Sequence, residues 1–289
     1  MTADPFVAHR SLLFTVAYEM LGSAADADDV VQETWLRWAE VDQAAVRNPR
    51  AYLVRIVTRQ ALNRIRTMSR RREEYVGEWL PEPLLTSPDV AEDVELAESV
   101  SIAMLTVLET LGPTERAVLV LHEVFDVPYD EIAEAVGKTS AAVRQIAHRA
   151  REHVAARRPR MAVSRTEQQR VAERFLAALT AGDLQGLMDV LAPDVVVVAD
   201  SGGLAPAARR PVVGGKRVAS ALSRFAELAP RVEITTPLVN GTVAARIDPG
   251  GDFDTAITFV VEDGRISRMY AMRNPHKLRR LDEVAELRR

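Results

Sequence analysis

Apolar side chains recur at helical spacing in the first quarter of the chain and predict three helices within residues 6–72. In the first helix, the stripe that repeats at i, i+3, i+4 and i+7 consists of Leu13, Val16, Ala17 and Met20. Gly22-Ser23 ends this helix, and a second stripe follows at Val31, Trp35 and Trp38. A third helix is expected to begin at Asn48-Pro49, because a helix tolerates proline in its first turn, and to end near Arg70.

The helical pattern is interrupted at residues 73–95, which we interpret as a linker. This stretch contains Trp79-Leu80-Pro81-Glu82-Pro83, which cannot form a regular helix because each proline removes an amide donor and restricts the residue before it. Helical spacing returns over residues 96–157, with breaks at Gly112-Pro113, Asp126-Val127-Pro128 and Gly137-Lys138-Thr139. The sequence therefore predicts a second helical unit that the linker joins to the first.

The pattern changes again over residues 166–280, where short apolar runs follow two helical stretches. We predict helices near 166–181, 183–191 and 215–229, and strands at 195–198 and near 231–239, 242–248, 253–262 and 265–273. Gly241 and Asp263-Gly264 are turn signals between strands. Helices followed by a meander of strands are typical of an α+β domain. The predicted fold is thus multidomain, with two all-α helical domains followed by an α+β domain.

The composition narrows the class of protein. A chain of 289 residues is long enough for two or three compact units. It has no cysteine, which excludes disulfides and thiolate metal sites and fits the reducing cytoplasm. No apolar run approaches the roughly 20 residues that a membrane span needs, and the first residues do not form a signal peptide. We therefore expect a cytoplasmic protein with no membrane partner, and we predict no cofactor and no metal.

Charge is distributed in blocks, although the net charge is only −4. Arg47 to Arg72 holds nine arginines and no acid, Glu73 to Glu98 holds nine acids and no base, and Lys138 to Arg160 holds seven bases and one acid. Any single block is explained well enough by a solvated helix face. Three alternating blocks favour interaction surfaces, of which the two basic ones suit nucleic acid.

The first basic block lies on the third predicted helix. At about 100° per residue, an arc of about 60° contains Arg55, Arg59, Arg66 and Arg70. A basic face without acids predicts contact with DNA phosphates, and a plain amphipathic surface helix is the alternative. Arg64 falls on the apolar side of the helix and does not fit this division.

Residues 129–151 contain the clearest motif, a predicted helix-turn-helix. Gly137 suits the left-handed conformation that ends the first helix, and Ser140, with Thr139 beside it, can cap the second. The second helix is predicted to bury Val143, Ile146, Ala147 and Ala150. The side chains that remain to read base edges and phosphates are Ser140, Arg144, Gln145, His148, Arg149 and Arg151. Some helix-turn-helix proteins bind no DNA, but this basic exposed face favours DNA binding.

Two helical DNA-binding units separated by an acidic linker resemble the extracytoplasmic-function (ECF) sigma factors, which are specificity subunits of bacterial RNA polymerase. Asp26-Ala27-Asp28-Asp29-Val30-Val31-Gln32-Glu33-Thr34-Trp35 is similar to the segment with which these factors dock on the coiled coil of the polymerase β′ subunit. The resemblance implies that core RNA polymerase is bound by Asp26, Asp28, Asp29, Gln32, Glu33 and Trp35.

Two further segments carry this resemblance and imply promoter DNA as a partner. Asn48 to Arg72 is similar to the segment that melts and reads the −10 element, which implies DNA contacts by Tyr52, Arg55, Arg59, Asn63, Arg66 and Arg70. Leu111 to Arg116, leading into residues 129–151, is similar to the −35-reading domain. Tyr52 stands where many relatives have Trp. Asn63 replaces a frequent Asp, and this second departure bears on the details of −10 recognition and not on the family assignment.

The rest of the chain resembles a subgroup of these factors with a SnoaL-like (polyketide-cyclase-like) extension, a cone-shaped fold with a curved sheet. The matching motifs are Trp79-Leu80-Pro81-Glu82-Pro83, Asn274-Pro275-His276-Lys277-Leu278 and an interrupted Asp200-Ser201-Gly202-Gly203 with Gly214-Gly215-Lys216. The resemblance implies that the extension controls sigma activity in cis by contacting the linker, so that these motifs meet. The implied regulatory residues are Trp79, Leu80, Pro81, Glu82, Pro83, Asp200, Gly202, Gly203, Lys216, Asn274, Pro275, Lys277 and Leu278.

Two other functions are alternatives. A ligand-responsive helix-turn-helix regulator would bind DNA as a symmetric dimer and would not bind core polymerase. A SnoaL-like cyclase or hydrolase would need acid–base groups, for which Asp200 and His276 are the candidates. We favour a non-enzymatic control domain, because the enzyme hypothesis rests on fold analogy alone. Whether the domain also binds an unidentified small ligand is left open.

Overall fold

The computed structural model describes residues 4–158, 163–227 and 232–289, without the side chains of residues 69–72 and 226. The side chain of Arg70, a predicted DNA contact, therefore lies outside the described residues. No helix in these ranges is both long and apolar enough to cross a membrane. Two helical domains and an α+β domain are present, as predicted from the sequence.

The N-terminal helical domain consists of α1 (Pro5–Leu21), α2 (Ala24–Ala39) and α3 (Pro49–Glu73). Helix α1 begins where the Asp4 carboxylate accepts a hydrogen bond from the amide of Phe6, and it ends at Gly22, whose φ of 65° reverses the chain. The three helices share a core that includes Leu13 and Trp38. The three predicted helices are confirmed.

The linker leads into the helix-turn-helix domain. The helices of this part are α4 (Pro88–Glu92), α5 (Val94–Val100), α6 (Ile102–Leu108), α7 (Pro113–Glu123), α8 (Tyr129–Val136) and α9 (Ser140–Ala155). Helices α8 and α9 form the predicted motif, and Gly137 ends α8 with a φ of 66°. The hydroxyl of Thr139 caps α9 by accepting from the amide of Ala142 at 3.2 Å. Ser140 is the first helical residue instead of the cap, and its hydroxyl donates to Asp130.

The C-terminal domain combines helices with a mixed open sheet. Its helices are α10 (Arg165–Ala181), α11 (Leu184–Val190), α12 (Gly215–Leu222) and α13 (Pro275–Leu278). The strands of the sheet, in chain order, are β1 (Leu85–Thr86), β2 (Leu191–Asp200), β3 (Val212–Val213), β4 (Ile234–Thr235), β5 (Leu238–Val239), β6 (Thr242–Ile247), β7 (Thr255–Glu262), β8 (Arg265–Met272) and β9 (Val284–Ala285). Strand β1 comes from the linker and β9 from the C-terminal end, so the sheet joins distant parts of the chain.

The strand order is β3-β2-β8-β7-β6-β5-β1-β9, with β4 paired to β6. Strands β5 to β8 form the predicted antiparallel meander, whereas β2 pairs with β8 in parallel. Two predicted elements are shorter than expected. The strand near 231–239 is divided at Thr236-Pro237 into β4 and β5, because proline cannot donate to a ladder. The helix near 215–229 ends at Leu222 and continues as a 3-10 turn to Glu227.

Both faces of the sheet are covered. On one face the strands pack against α10, where the rings of Phe175 and Phe259 lie 5.4 Å apart. The side chains that cover the other face come from the linker, from α6 and from the segment after β8, and they include Leu80, Ile102, Ala103, Leu278 and Leu281. The C-terminal domain therefore uses one sheet face for its own core and the other to hold the linker.

Candidate regulatory junction and nucleic-acid interfaces

Asp200 lies at the end of β2, fully buried, and its carboxylate is shared between the linker and the C-terminal domain. The phenol of Tyr75 donates to Oδ1 at 2.5 Å, and the amide of Leu80 donates to Oδ2 at 2.8 Å. The ammonium of Lys277 lies 2.7 Å from the same Oδ2. A buried carboxylate needs both a counter-charge and hydrogen bonds, and Asp200 has both. We call the cluster of Tyr75, Trp79, Leu80, Asp200, Asn274 and Lys277 the linker lock.

Lys277, which lies on α13, also binds the linker. Its side chain is almost completely buried and donates to the carbonyl of Leu80. The ammonium lies 4.1 Å from the ring centroid of Trp79 and 5.1 Å from that of Tyr75, within reach for cation–π attraction. Trp79 in turn packs against Gly22, where an added Cβ would lie 2.9 Å from the indole. The linker lock therefore also touches the turn between α1 and α2.

Asn274 completes the linker lock, and Gly202 packs against it. The amide of Asn274 donates to the Tyr75 hydroxyl at 2.7 Å, and its carbonyl caps α13 by accepting from the amide of His276. A Cβ at Gly202 would lie 2.6 Å from this amide nitrogen, and φ there is 58°, so a larger residue would be strained and would displace the Asn274 side chain. Burial and the hydrogen bond to Asp200 raise the pKa of Tyr75 above its ordinary value, so the phenol stays a proton donor.

Glu82 extends the contact of the linker to the start of α2. Its Oε2 accepts from the amides of Ala24 and Ala25 at 2.7 and 3.2 Å, and its Oε1 accepts from the Ser23 hydroxyl at 3.0 Å. A carboxylate at the start of a helix accepts hydrogen bonds from amides that have no partner within the helix. Its negative charge also interacts favourably with the positive end of the helix dipole. Tyr18 of α1 donates to the carbonyl of Glu82 at 2.6 Å. The linker is therefore held by the N-terminal helical domain as well as by the C-terminal domain.

Asn240, in the turn between β5 and β6, connects three parts of the protein, although the sequence marked only the following glycine as a turn signal. Its side-chain amide donates to the Tyr18 hydroxyl and to the carbonyl of Val100, both at 2.7 Å. Its side-chain carbonyl accepts from the amide of Leu84 at 2.8 Å. Its φ of 52° is one that Asn tolerates better than most residues. An Asn-Gly pair signals a turn, but no local pattern shows where the Asn side chain points.

Arg116 of α7 joins the two helical domains. Its guanidinium donates to the carbonyl of Met20 at 2.8 Å and to that of Leu108 at 2.9 Å, and it lies 2.7 Å from the Glu109 carboxylate. Burial lowers the pKa of Arg116 to about 10, so the group stays charged at neutral pH. The N-terminal and helix-turn-helix domains are thus packed against each other in a closed arrangement.

The predicted polymerase-docking segment lies on α2, with its acids engaged in ion pairs. Arg64, which did not fit the helix division in the sequence, lies 3.2, 3.3 and 3.1 Å from Asp26, Asp29 and Glu33. Gln32 is exposed, and Trp35 is 45% exposed, unusually high for a tryptophan. Asp28 is paired with Arg280, from the segment after α13, at 2.5 Å and with Arg10 at 3.7 Å.

The predicted −10 face of α3 is partly covered by α8. Arg55 lies 2.8 Å from the Glu134 carboxylate and 5.2 Å from the ring centroid of Tyr52. Arg59 donates to the carbonyls of Glu134 and Ala135 at 2.7 and 3.3 Å. Further along α3, Asn63 and Arg66 are exposed. Two of the three described arginines of this face, Arg55 and Arg59, are therefore in contact with the helix-turn-helix domain.

The predicted −35 face of α9 is open to solvent. The exposed side chains along it are Arg144, Gln145, His148, Arg149 and Arg151, as the helical pattern predicted. Arg144 lies over the ring of Tyr129, 5.5 Å from its centroid. His148 lies 3.6 Å from Glu152, and Arg151 lies 3.2 Å from Glu123. These surface pairs are weak, so the side chains are available to a nucleic acid.

Lys216 is not brought to the linker lock. It is exposed in the first turn of α12, where the adjacent Gly215 packs against Ala192 and Pro193 near the start of β2. Asp200 lies at the opposite end of that strand, and Lys277 is the lysine that pairs with it. Residues 200–203 meet 79–83 and 274–278 as expected, with Gly203 packed on Val76, but the Gly-Gly-Lys segment does not.

The chain matches three protein-family models: Sigma-70 region 2 over residues 6–71, Sigma-70 region 4 over residues 101–154, and a SnoaL-like domain over residues 172–269. It is 38% identical to the ECF RNA polymerase sigma factor SigJ of Mycobacterium tuberculosis, over 96% of this chain and 93% of that protein. It is 32% identical to a second protein of that organism, named "Probable ECF RNA polymerase sigma factor SigI", over 94% and 92% of the two chains.

The likeness extends to the fold. The crystal structure of the M. tuberculosis extracytoplasmic function sigma factor SigJ superposes with a TM-score of 0.76 at 37% identity, covering 94% of this chain and 96% of that chain. The fold of this chain is thus shared, over nearly its whole length, with a solved structure.

Proposed function

The chain belongs to the extracytoplasmic-function sigma factors of the sigma-70 family, and we propose that its C-terminal SnoaL-like domain controls in cis when it engages polymerase and promoter. A sigma factor directs core RNA polymerase to specific promoters, so core polymerase and promoter DNA are its partners. We place this activity in the cytoplasm. The closed arrangement of the domains is, in this proposal, the resting state.

The linker lock is the observation that carries the proposal. Both backbone polar groups of Leu80 are bound by the C-terminal domain, the amide by Asp200 and the carbonyl by Lys277. The two charged groups are buried, so moving the linker away would break their shared contacts and expose them to water. A linker held in this way fixes the distance between the two DNA-binding domains. Promoter binding then requires the linker lock to open.

The acidic segment of α2 supports a second point of control. We infer that Asp26, Asp28, Asp29, Gln32, Glu33 and Trp35 bind the β′ coiled coil, because an exposed tryptophan beside acids fits a protein partner better than solvent. Arg280, which follows α13 in the C-terminal part of the chain, forms an ion pair with Asp28. Polymerase docking and this ion pair would compete for the same carboxylate. The C-terminal domain would therefore weaken docking until Arg280 is displaced.

The DNA surfaces differ in how far they are covered. We propose that the −10 element is bound by Tyr52, Arg55, Arg59, Asn63, Arg66 and Arg70, and the −35 element by Ser140, Arg144, Gln145, His148, Arg149 and Arg151. Arg55 and Arg59 are held by α8, so the −10 face becomes complete only when the helical domains separate. The −35 face needs no such step.

A Lys277→Met variant tests cis control. The substitution keeps the length of the side chain but leaves Asp200 buried without its counter-charge, which is strongly destabilising for the closed contact. We expect higher transcription by core polymerase from a cognate promoter than with the unaltered protein. Lys216→Met is the matched control, since it makes the same chemical change on an exposed residue outside the linker lock and leaves transcription unchanged.

A variant of Lys277 can also lose activity by unfolding, so circular dichroism and the double variant Asp200→Asn with Lys277→Met accompany the assay. The double variant removes both charges and is expected to restore folding while the linker lock stays weakened. Folded Lys277→Met and double variants that transcribe at the level of the unaltered protein would reject cis control through the linker lock.

The hydrolase alternative loses its main candidate in this geometry. Both carboxylate oxygens of Asp200 are bound by linker and lysine groups inside a packed junction, away from solvent. An acid–base group must reach a substrate, and Asp200 faces the linker instead. The relatives that match the whole chain are sigma factors, not enzymes.

A further inference from the structure

A cleft lies between the N-terminal helical domain and the helix-turn-helix domain, apart from the linker lock, and Arg151, a predicted −35 contact, is among the residues that line it. Its volume is about 290 Å³, at the small end for a ligand pocket. The walls come from α6, α7 and α9 and are aliphatic, with Met104, Leu108, Val120, Val124 and Val154. At this size and polarity, the cleft suits a small apolar molecule.

One polar group of this cleft is left without a partner. Glu19 of α1 lines the cleft and is completely buried. Its Oε1 accepts a hydrogen bond from Ser99 at 2.8 Å, whereas its Oε2 has no partner within the described part of the chain. Buried polar atoms are nearly always hydrogen-bonded, and an unsatisfied one is costly. A ligand that bonds to Oε2 would remove this cost.

The charges around the cleft favour a neutral ligand. Burial raises the pKa of Glu19 to about 8, so its carboxyl is mostly protonated at neutral pH. The charged side chains that face the cleft from α7, from α9 and from the residues after α9 are already paired: Arg151 with Glu123, and Arg158 with Glu98 of α5. Tyr18, the neighbour of Glu19 on α1, stays protonated because burial raises the pKa of its phenol. These groups therefore carry no net charge that would attract an ionic ligand.

We propose that this cleft binds a small neutral aliphatic alcohol, whose hydroxyl bonds to Oε2 of Glu19 while its chain lies along the wall of Met104, Leu108 and Val120. A hydroxyl suits Glu19 in either state, because it accepts from a protonated carboxyl and donates to an ionised one. An ether of the same size accepts only. The two ligands thus distinguish a contact with Glu19 from simple burial in an apolar cleft.

Because of the position of the cleft, a ligand bound there would affect the arrangement of the two helical domains. Glu19 belongs to the N-terminal helical domain, and the walls belong to the helix-turn-helix domain and to α6. A ligand that touches both stabilises their closed arrangement, since it binds that arrangement and not the separated domains. This consequence rests on the proposed function, whereas binding itself does not.

The test is calorimetric titration of the full chain with 1-hexanol and with its isomer 1-methoxypentane, at about pH 6.5 and about pH 9.5. We expect the alcohol to bind at both values. The ether is expected to bind at the lower pH and to lose about tenfold in affinity at the higher pH, where Glu19 no longer has a proton to donate. Equal responses of the two ligands to pH would overturn the contact with Glu19.

Two variants locate the site. Glu19→Gln keeps an amide donor at every pH, so the affinity for the ether should become independent of pH. Ala155→Trp places an indole at the exposed mouth of the cleft and is expected to abolish binding of both ligands. Its control, Ala156→Trp, adds the same ring to the next exposed residue of the chain, which does not line the cleft, and leaves binding unchanged.

The outcomes separate this inference from the control function. Unchanged affinity in a folded Ala155→Trp protein, or no binding of 1-hexanol to the unaltered chain, would reject the cleft as the alcohol site. Neither result bears on the linker lock, because no transcription is measured. Conversely, a failure of the Lys277→Met experiment would leave the binding data as they stand.

Discussion

Glu19 shows how a single residue ties the stability of this protein to pH. Its pKa is about 8 in the folded protein and returns to its ordinary 4.5 when the chain unfolds, chiefly because burial disfavours the carboxylate. Between these two values the folded protein holds a proton that the unfolded chain has released. The free energy of unfolding therefore falls as pH rises from about 4.5 to about 8, by up to about 1.4 kcal/mol per pH unit, and levels off above that range.

A Glu19→Gln variant should remove this dependence, because an amide does not titrate. We expect its stability to be close to that of the unaltered protein near pH 5 and to exceed it increasingly toward pH 8, by about 3–4 kcal/mol. Urea unfolding of both proteins across this range measures the difference. Two stability curves that run parallel from pH 5 to pH 8 would contradict the assignment.

Other residues show what a sequence leaves undecided at this scale. Arg64 seemed misplaced on the apolar side of α3, and its place is explained by three acids on α2. Both Lys216 and Lys277 were expected to take part in regulatory contacts, but Lys277 pairs with Asp200 whereas Lys216 is exposed on α12. Each outcome depends on a partner far away in the chain, and helical periodicity carries no information about such partners.

At the scale of elements, the contact between α3 and α8 decides how accessible the proposed −10 face is. Glu134→Gln removes the carboxylate that pairs with Arg55 while leaving the carbonyl contacts of Arg59. Exposed ion pairs contribute about 0–1 kcal/mol, so we expect a modest rise, about two- to fivefold, in affinity for single-stranded −10 DNA. Fluorescence anisotropy at low salt measures it.

Glu131→Gln is the control for this prediction, since it changes another exposed acid of α8. It alters the general charge of the helix equally but does not touch the pair between Arg55 and Glu134. A rise of equal size in both variants would indicate general electrostatics instead of release of the −10 face. The effect of Glu134→Gln should also shrink at high salt, because screening weakens the pair in the unaltered protein.

Most elements followed from local patterns. The three N-terminal helices, the helix-turn-helix and the strands β6 to β8 were predicted near their observed positions, because periodicity and turn residues act over a few neighbouring positions. The short strands β1 and β9 were not predicted. Two residues carry too little pattern to be recognised, and these strands exist only because a sheet edge is available to pair with them.

At the scale of the molecule, the last residues of the chain return to the N-terminal helical domain. Strand β9 pairs in parallel with β1 of the linker, and Leu287 is buried in the core around α1. The amide of Arg288 donates to the Thr15 hydroxyl at 3.0 Å. The C-terminal end therefore fastens the closed arrangement at a point separate from the linker lock.

Leu287→Ala should loosen this fastening. Truncating a buried leucine to alanine reduces the free energy of packing by about 2 kcal/mol or more. Here that loss weakens the packing of the C-terminal segment against α1. We expect faster hydrogen exchange in residues 85–86 and in α1, together with tighter binding of core polymerase. Val284→Ala is the control, because Val284 is 56% exposed in the same segment. Equal hydrogen-exchange rates in both variants would show that the C-terminal segment does not stabilise the closed arrangement.

The sequence alone determined the domain order, most helical elements, the helix-turn-helix and the family resemblance, since each depends on residues that are close in the chain. The family resemblance also implied that the linker motif meets residues 200–203 and 274–278, but the tertiary structure decided which atoms pair across the domains. Asp200 is hydrogen-bonded to Leu80, and Asn240 is hydrogen-bonded to Tyr18 and Val100. Arg280 forms an ion pair with Asp28. The physical reason is that a buried charge or amide must find a partner wherever packing brings one, and packing is a property of the whole chain.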